Sequence, residues 1–209
     1  KRTPDGTISR HKARYCLRGD LMERTEDTFA PVVAFATVRL FTVLVLTLCW
    51  ESTTIDYTNA FTQAPLRNAL WIQLPRGFGT TSSRATCLKL KKTLYGSVDA
   101  PKFFYEHLSG ILRNLGLVQS VHDPCLMFRE GVLLVVYCDD LAVACPTSAK
   151  LDSFVNELKK CGCILTQQTS LSEYLGINFD RLDTATFDMT QRGLIQKILK
   201  TASMEDCRP

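Results

Sequence analysis

The chain has 209 residues, with 45% hydrophobic and 22% charged residues. That composition excludes a disordered, collagen-like or low-complexity chain and leaves one large or two small globular domains. The net charge of +4 is concentrated at the start: residues 1–24 carry seven Lys/Arg against three acids, and the rest balances. A basic arm on a neutral body suits a polyanionic partner. The 9 cysteines form no CxxC pair, and no histidine lies near a cysteine cluster. A disulfide scaffold and a zinc site are therefore not indicated, and reduced, buried thiols in an intracellular protein are expected. The chain reads as a piece of a longer polypeptide.

In chain order, residues 32–50 are the most apolar stretch. A charge near its middle, Arg39, costs about 2.5–3.5 kcal/mol in a bilayer, so a buried helix is expected rather than a membrane span. Its stripe is Val38, Phe41, Val45, Leu48 and Cys49, with Pro31 in the first turn. A strand follows at Thr53–Asp56, then a short turn or helix through Tyr57–Phe61. Leu70–Leu74 is a strand stopped by Pro75, Gly77–Ala85 a loop, and Cys87–Lys92 a half-buried strand. Pro101 opens a helix with Phe104, Leu108, Ile111, Leu112 and Leu115 inward and Gly116 as its stop. Strands are expected at Leu126–Phe128, Val132–Cys138 and Leu141–Cys145. Thr147 or Ser148 caps a helix that buries Leu151, Phe154, Val155 and Leu158 and ends at Gly162. A hairpin spans Ser172–Phe179 and Thr184–Met189. Thr190 caps a last helix carrying Leu194, Ile195, Ile198 and Leu199. Hairpins without strict βαβ alternation indicate an α+β fold.

The chemistry concentrates at Tyr137-Cys138-Asp139-Asp140. Two adjacent carboxylates between apolar strands repel each other, and a two-residue hairpin turn favours Gly or Asn. An exposed turn with two solvated acids is one reading. A divalent cation that compensates the repulsion is the other, and hard carboxylate oxygens suit Mg²⁺. Asp56, at the end of its strand, offers a third carboxylate. Such a set can serve phosphoryl transfer with two metal ions.

These segments, taken together, resemble the reverse transcriptase of copia-type long-terminal-repeat retrotransposons. KARYCLRG resembles a basic finger strand, DTFAPVV the ETFAPVV-type segment, IDYTNAF the LDVKNAF segment and LWIQLPRGF the VYMQQPPGF segment. LKLKKTLYGSVDAPKFFYEHL is similar to LKKALYGLKQAPRAWY, and DPCLMF, LLVVYCDDLAVA and EYLGINF follow in the family's order. The resemblance implies a right-hand polymerase with an antiparallel palm sheet backed by helices. Fingers are expected at roughly 1–52 and 62–100 and palm at roughly 53–61 and 101–190. Residues 191–209 would start a thumb or connection that is largely missing.

The same resemblance implies an RNA-directed DNA polymerase, a nucleotidyltransferase that adds dNTPs to a primer 3′-hydroxyl with two Mg²⁺, or Mn²⁺. Asp56, Asp139 and Asp140 carry over as catalytic metal ligands, with Asp56 and Asp139 the direct ones. Lys12 and Arg14 carry over as phosphate-binding basics. The backbone of Tyr57, Thr58, Asn59 and Ala60 would face the triphosphate, and Phe61 would lie under the sugar and disfavour a 2′-hydroxyl. Tyr95 and Gly96 would pack on the nascent pair. Tyr137, Cys138, Tyr174, Leu175 and Gly176 would meet template and primer. Expected partners are an RNA template, a DNA primer/template duplex, dNTPs and the RNase H and integrase regions of the same Pol polyprotein. No membrane is expected. The implied location is a cytoplasmic virus-like particle, the nucleus or both. Cys138, Val98 and Asp99 depart from the family pattern, the last two by removing a basic residue and adding an anion near the template path. A non-catalytic nucleic-acid-binding remnant of a retrotransposon polymerase is the alternative.

Overall fold

In a computed structural model of the chain, the described residues are 7–8, 11, 13–23, 27–74, 87–183 and 186–206. The expected loop at Gly77–Ala85, Pro75, Lys12 and Thr184 lie outside them. The chain divides into two units, residues 1–30 with 59–107 and residues 31–58 with 108–209.

The second unit is built on a six-stranded sheet in the order β4-β5-β6-β7-β1-β8. Its strands are β1 (Glu51–Tyr57), β4 (Val118–Gln119), β5 (Leu126–Arg129), β6 (Val132–Tyr137), β7 (Asp140–Cys145) and β8 (Leu165–Gln167). Every pairing in it is antiparallel. Residues 132–136 and 141–145 are all buried, including both alternating sets of side chains. A run buried on both faces reads as continuously apolar rather than alternating, which is the pattern VLLVV and LAVAC carry. The helix α1 (Phe35–Thr47) packs on β6, and α3 (Ser148–Lys160) packs on β7 and β1. A second sheet in this unit has the order β11-β10-β9, from β9 (Glu173–Tyr174), β10 (Ile177–Arg181) and β11 (Phe187–Thr190). The helix α4 (Arg192–Thr201) follows it. The expected α+β class, with an antiparallel sheet backed by helices, is what the structure has.

The first unit holds the ribbon of β2 (Trp71–Gln73) and β3 (Cys87–Lys89). It also holds the start of α2 (Ala100–Asn114), a helix that continues into the second unit. Pro101 sits in the first turn of α2, where its missing N–H costs nothing. Leu88 was expected on a half-buried strand but is 43% exposed, because the two-stranded ribbon has no further strand to bury it.

Helix ends follow a common rule. Gly116, Gly162 and Cys49 all take positive φ, at 84°, 86° and 52°. In α3 the amides of Gly162 and Cys163 close back on Lys159 and Leu158, and in α1 those of Cys49 and Trp50 close on Leu46 and Val45. This is the Schellman closure, which satisfies carbonyls left over at a helix end. It also explains one departure from the expected stripe. Val38, Phe41 and Val45 are buried, but Leu48 and Cys49 are exposed, since the chain turns left-handed there. At α3 the Thr147 hydroxyl accepts the Lys150 amide, so Thr147 and not Ser148 is the cap. Thr190 does not cap α4: it is the last residue of β11, and Gln191 stands at the N-cap without a side-chain bond. Pro31 likewise precedes α1, which starts at Phe35.

The start of α1 is capped from a distance. Ala34 at its N-cap has no polar side chain, and the carboxylate of Asp123 takes the part. One oxygen accepts the Ala34 amide at 3.0 Å and the Thr37 hydroxyl, and the other accepts the Cys125 amide at 2.9 Å. A carboxylate at a helix N-terminus is further favoured by the helix dipole. Residues 31–58 group with 108–209 in the second unit, and the bonds of Asp123 to Ala34 and Thr37 lie within it. Among the described residues no helix is long and apolar enough to cross a membrane.

Burial of Asp123 opposes its charge, but the bonds from Thr37, Cys125 and Ala34 outweigh that and hold its pKa below the ordinary aspartate value. A lowered native pKa means that its stabilisation is present above the unfolded value, near 4, and fades as pH falls through the native one. Asp123→Asn should therefore cost about 2–3 kcal/mol at pH 7. The difference in thermal midpoint between variant and wild type should narrow as the pH is taken below about 4.

Candidate active site

The register of β1 on β7 decides where the acids meet. Ile55 faces Leu141 and Asp56 faces Asp140, and on the other side of β7 the partner of Asp140 is Tyr137. Directly opposite residues in a sheet project to the same face, so Asp56 and Asp140 share one face at one end of the sheet. It is Asp140, expected to be the weaker ligand, that lies across from Asp56, while Asp139 occupies the turn. The turn itself is a two-residue loop in which only the first central residue, Cys138, has positive φ, 51°. That matches a type II′ hairpin. The Asp139 carbonyl accepts the Tyr57 amide at 3.1 Å, which fastens the turn to the end of β1.

Electrostatics agree with the geometry. Burial, then the neighbouring charges of Asp139 and Asp56, push the Asp140 carboxyl up to about 6. The Cys138 thiol is also raised, by burial and by Asp139 and Asp140. Among the described residues no three His, Cys, Asp or Glu side chains converge into a ready cage for a metal ion. A Mg²⁺ ion of the phosphoryl-transfer kind needs no such cage, since one or two carboxylates hold it together with substrate phosphates and water. The donor set at this strand end, hard carboxylate oxygens pressed together against their own repulsion, fits that ion.

Beside the acids is a cavity of about 450 Å³. Thr54, Asp56, Asp140, Thr166 and Gln168 form one wall, and Glu173, Tyr174, Leu175 and Gly176 the other. The second wall is the β9–β10 hairpin, whose two turn residues, Leu175 and Gly176, both have positive φ, 54° and 74°. Two positive φ values in a two-residue loop define a type I′ turn. Gly suits the second place, whereas Leu at the first is strained. The buried Tyr174 hydroxyl donates to the Val135 carbonyl at 3.3 Å, tying this hairpin to β6. Thr166, Gln168 and Glu173 were not anticipated. Thr166 lies on the short polar strand β8 and Gln168 just after it, where no periodicity marks a structure, while Glu173 lies on β9, inside the expected strand Ser172–Phe179, with no motif to single it out.

The sequence expectation for the turn after Asp56 needs correction. The Tyr57 amide is committed to Asp139 and the Thr58 amide to the Ile164 carbonyl at 2.9 Å. Both serve the sheet, so these two are not donors for a triphosphate. Asn59 follows with φ 53°, the left-handed conformation that Asn tolerates, and starts a short 3-10 turn, Ala60–Gln63.

The remaining candidates lie in the first unit. Phe61 rides on that 3-10 turn, its ring 5.0 Å from Tyr95 and 6.1 Å from Phe104. The Thr93 hydroxyl donates to the Phe61 carbonyl. Arg14 places its guanidinium 4.1 Å above the Tyr95 ring. Gly96, with φ +83°, lies so close to the chain that a Cβ there would come within 2.2 Å of the Leu17 carbonyl. Thus Phe61, Arg14, Tyr95 and Gly96 are brought together, while Lys12 lies outside the described residues.

This arrangement has a family. The sequence model of the family described as "Reverse transcriptase (RNA-dependent DNA polymerase)" matches residues 1–209, and the chain belongs to that family. Its relatives include Pol polyproteins of plant transposons. It is 28% identical over 216 residues to the retrovirus-related Pol polyprotein from transposon RE1 of Arabidopsis thaliana, covering 100% of this chain and 15% of that one. It is 23% identical over 218 residues to the corresponding polyprotein from transposon TNT 1-94 of Nicotiana tabacum, with 100% and 16% covered. A putative transposon Ty5-1 protein of Saccharomyces cerevisiae is 24% identical over 147 residues, 68% of this chain and 47% of that one. The chain thus spans about 15% of the length of the plant relatives, and the expected kinship with copia-type Pol polyproteins holds.

Since Asp140 is held charged against burial and two like charges, removing its charge should relax the fold. Asp140→Asn should raise the thermal midpoint at pH 7 by a few degrees, on the order of 1 kcal/mol, measured by calorimetry or circular dichroism.

Proposed function

We propose that this chain is the fingers and palm of an RNA-directed DNA polymerase, extending a primer 3′-hydroxyl with dNTPs on an RNA template during retrotransposon replication. The observation that carries the reading is the strand-end triad. Asp56 and Asp140 face each other across two strands, and Asp139 sits in the adjoining turn. Family membership over the whole chain supports the same assignment.

In this reading Asp56, Asp139 and Asp140 would hold two divalent cations. These, when bound, lower the pKa of a primer hydroxyl and neutralise the charge on a pyrophosphate leaving group. The repulsion among the three carboxylates keeps the unliganded site strained, which favours cation uptake. Phe61 stands against a 2′-hydroxyl and so selects deoxyribose. Arg14, and Lys12 if it carries over, meet phosphate oxygens through charge-assisted hydrogen bonds. Asn59 and Ala60 inherit the backbone role that Tyr57 and Thr58 cannot perform. Gly96 lets the backbone approach the nascent pair closely. Tyr174, Leu175 and Gly176 line the cavity beside the acids, and Tyr137 and Cys138 belong to the hairpin turn that carries Asp139; in this reading both sets would meet the primer terminus. RNase H and integrase activities belong to other parts of such a polyprotein. The setting would be a cytoplasmic virus-like particle or the nucleus.

Primer extension on an RNA template, with Mg²⁺ and dNTPs, tests this in the full polyprotein chain. Asp139→Asn and Asp56→Asn should each lower the extension rate by at least about a thousandfold, as loss of a centre of charge stabilisation does. A wild-type chain that binds primer/template but extends nothing would instead assign it to the nucleic-acid-binding remnants of retrotransposon polymerases. These 209 residues alone should extend weakly or not at all.

A further inference from the structure

The contacts around Tyr95 point beyond the family reading. Its ring has the Arg14 guanidinium over it at 4.1 Å and the Phe61 ring against it at 5.0 Å, inclined by 65°. Its carbonyl accepts the Leu17 amide at 2.7 Å, and the neighbouring Gly96 has no room for a side chain against Leu17. The segment that carries Arg14 is therefore fastened to Tyr95 by both backbone and side chain. Phe61 is fastened differently. Its carbonyl takes the Thr93 hydroxyl, and behind it stands Phe104, which is fully buried on α2. Phe104 cannot give way, because a close-packed interior transmits displacement rather than absorbing it. The Tyr95 ring is only half-buried, so it is the neighbour whose removal would open space for Phe61.

A ring that excludes a hydroxyl works only if it cannot retreat. The extra oxygen of a ribonucleotide needs little room, and a phenylalanine ring gains that room by a modest rotation once one flank is missing. We propose that Tyr95 is a positioning residue for substrate choice. It holds Phe61 against the sugar and, separately, Arg14 toward the phosphates, so that the preference for deoxyribonucleotides resides in the Tyr95–Phe61 pair rather than in Phe61 alone. The proposal rests on the polymerase reading above and names the device that sets its sugar selectivity.

The readout is the ratio of kcat/KM for a dNTP to that for the matching rNTP, measured by single-nucleotide primer extension with the full polyprotein chain. Tyr95→Leu should lower the ratio about tenfold, the worth of one lost aromatic pair. Tyr95→Phe, which keeps both ring contacts, should hold it within about twofold of wild type. Tyr95→Met is measured beside Tyr95→Leu, so that failure of one to fold leaves the other to decide. Arg14→Gln should raise KM for both nucleotides and leave the ratio where it was. A general loss of structure lowers both rates together and does not move the ratio. An unchanged ratio in both Tyr95→Leu and Tyr95→Met overturns the proposal, as does a Tyr95→Phe variant that falls as far as Tyr95→Leu. A wild-type chain that extends with neither nucleotide overturns the polymerase reading, and this inference with it.

Discussion

The register between β1 and β7 is the constraint on which the functional end of the molecule depends. Glu51 opposite Cys145 fixes every later pair, ending with Asp56 opposite Asp140. A slip of one residue would turn Asp56 to the other face and bring Ile55 in its place. What prevents the slip is hydrophobic. Residues 141–145 are buried on both faces, and Ile55 is fully buried beside them, so any shifted register would put a carboxylate into that core. The core thus does for the acids what they cannot do for themselves, holding like charges together at a cost of the kind that burial of unpaired charge always carries.

Three attachments keep the surroundings of that register in place. The Tyr57 amide on the Asp139 carbonyl ties the turn to β1, the Tyr174 hydroxyl on the Val135 carbonyl ties the β9–β10 hairpin to β6, and Asp123 ties the start of α1 to the loop before β5. All are long-range in sequence and each uses a polar group that burial would otherwise penalise. The ion pair of Arg129 with Glu157, together with the Arg129 bond to the Leu115 carbonyl, adds a fourth link, between β5, α3 and the end of α2.

The parts that could be read from the sequence are those whose signal is local. Residues 132–136 and 141–145 announce a hairpin by apolarity, Thr147 and Gly162 announce the two ends of α3 by their chemistry, and the doublet Asp139-Asp140 stands out because nothing local explains it. The parts that could not be read depend on distant partners. Asp123 looks like any loop aspartate until α1 is seen to lack a cap. Thr190 has the right residue type for a cap but is held in β11 instead. The short strand at Leu165–Gln167 forms because an edge of β1 is open to it, not because LTQ prefers to be extended. Likewise the amides of Tyr57 and Thr58 are spent on the sheet, a fact visible only in the pairing.

Both turns beside the acids hold a non-glycine residue in the left-handed region, Cys138 in one and Leu175 in the other. An L-residue there stores roughly 1–2 kcal/mol. Neither turn would choose its shape if released, so each is a bent spring whose form is dictated by the strands that clamp it. The consequence is mechanical. The two lips beside the cavity owe their spacing to the sheets beneath rather than to their own preferences, and the aperture they frame is as stiff as those sheets, with no soft hinge of its own.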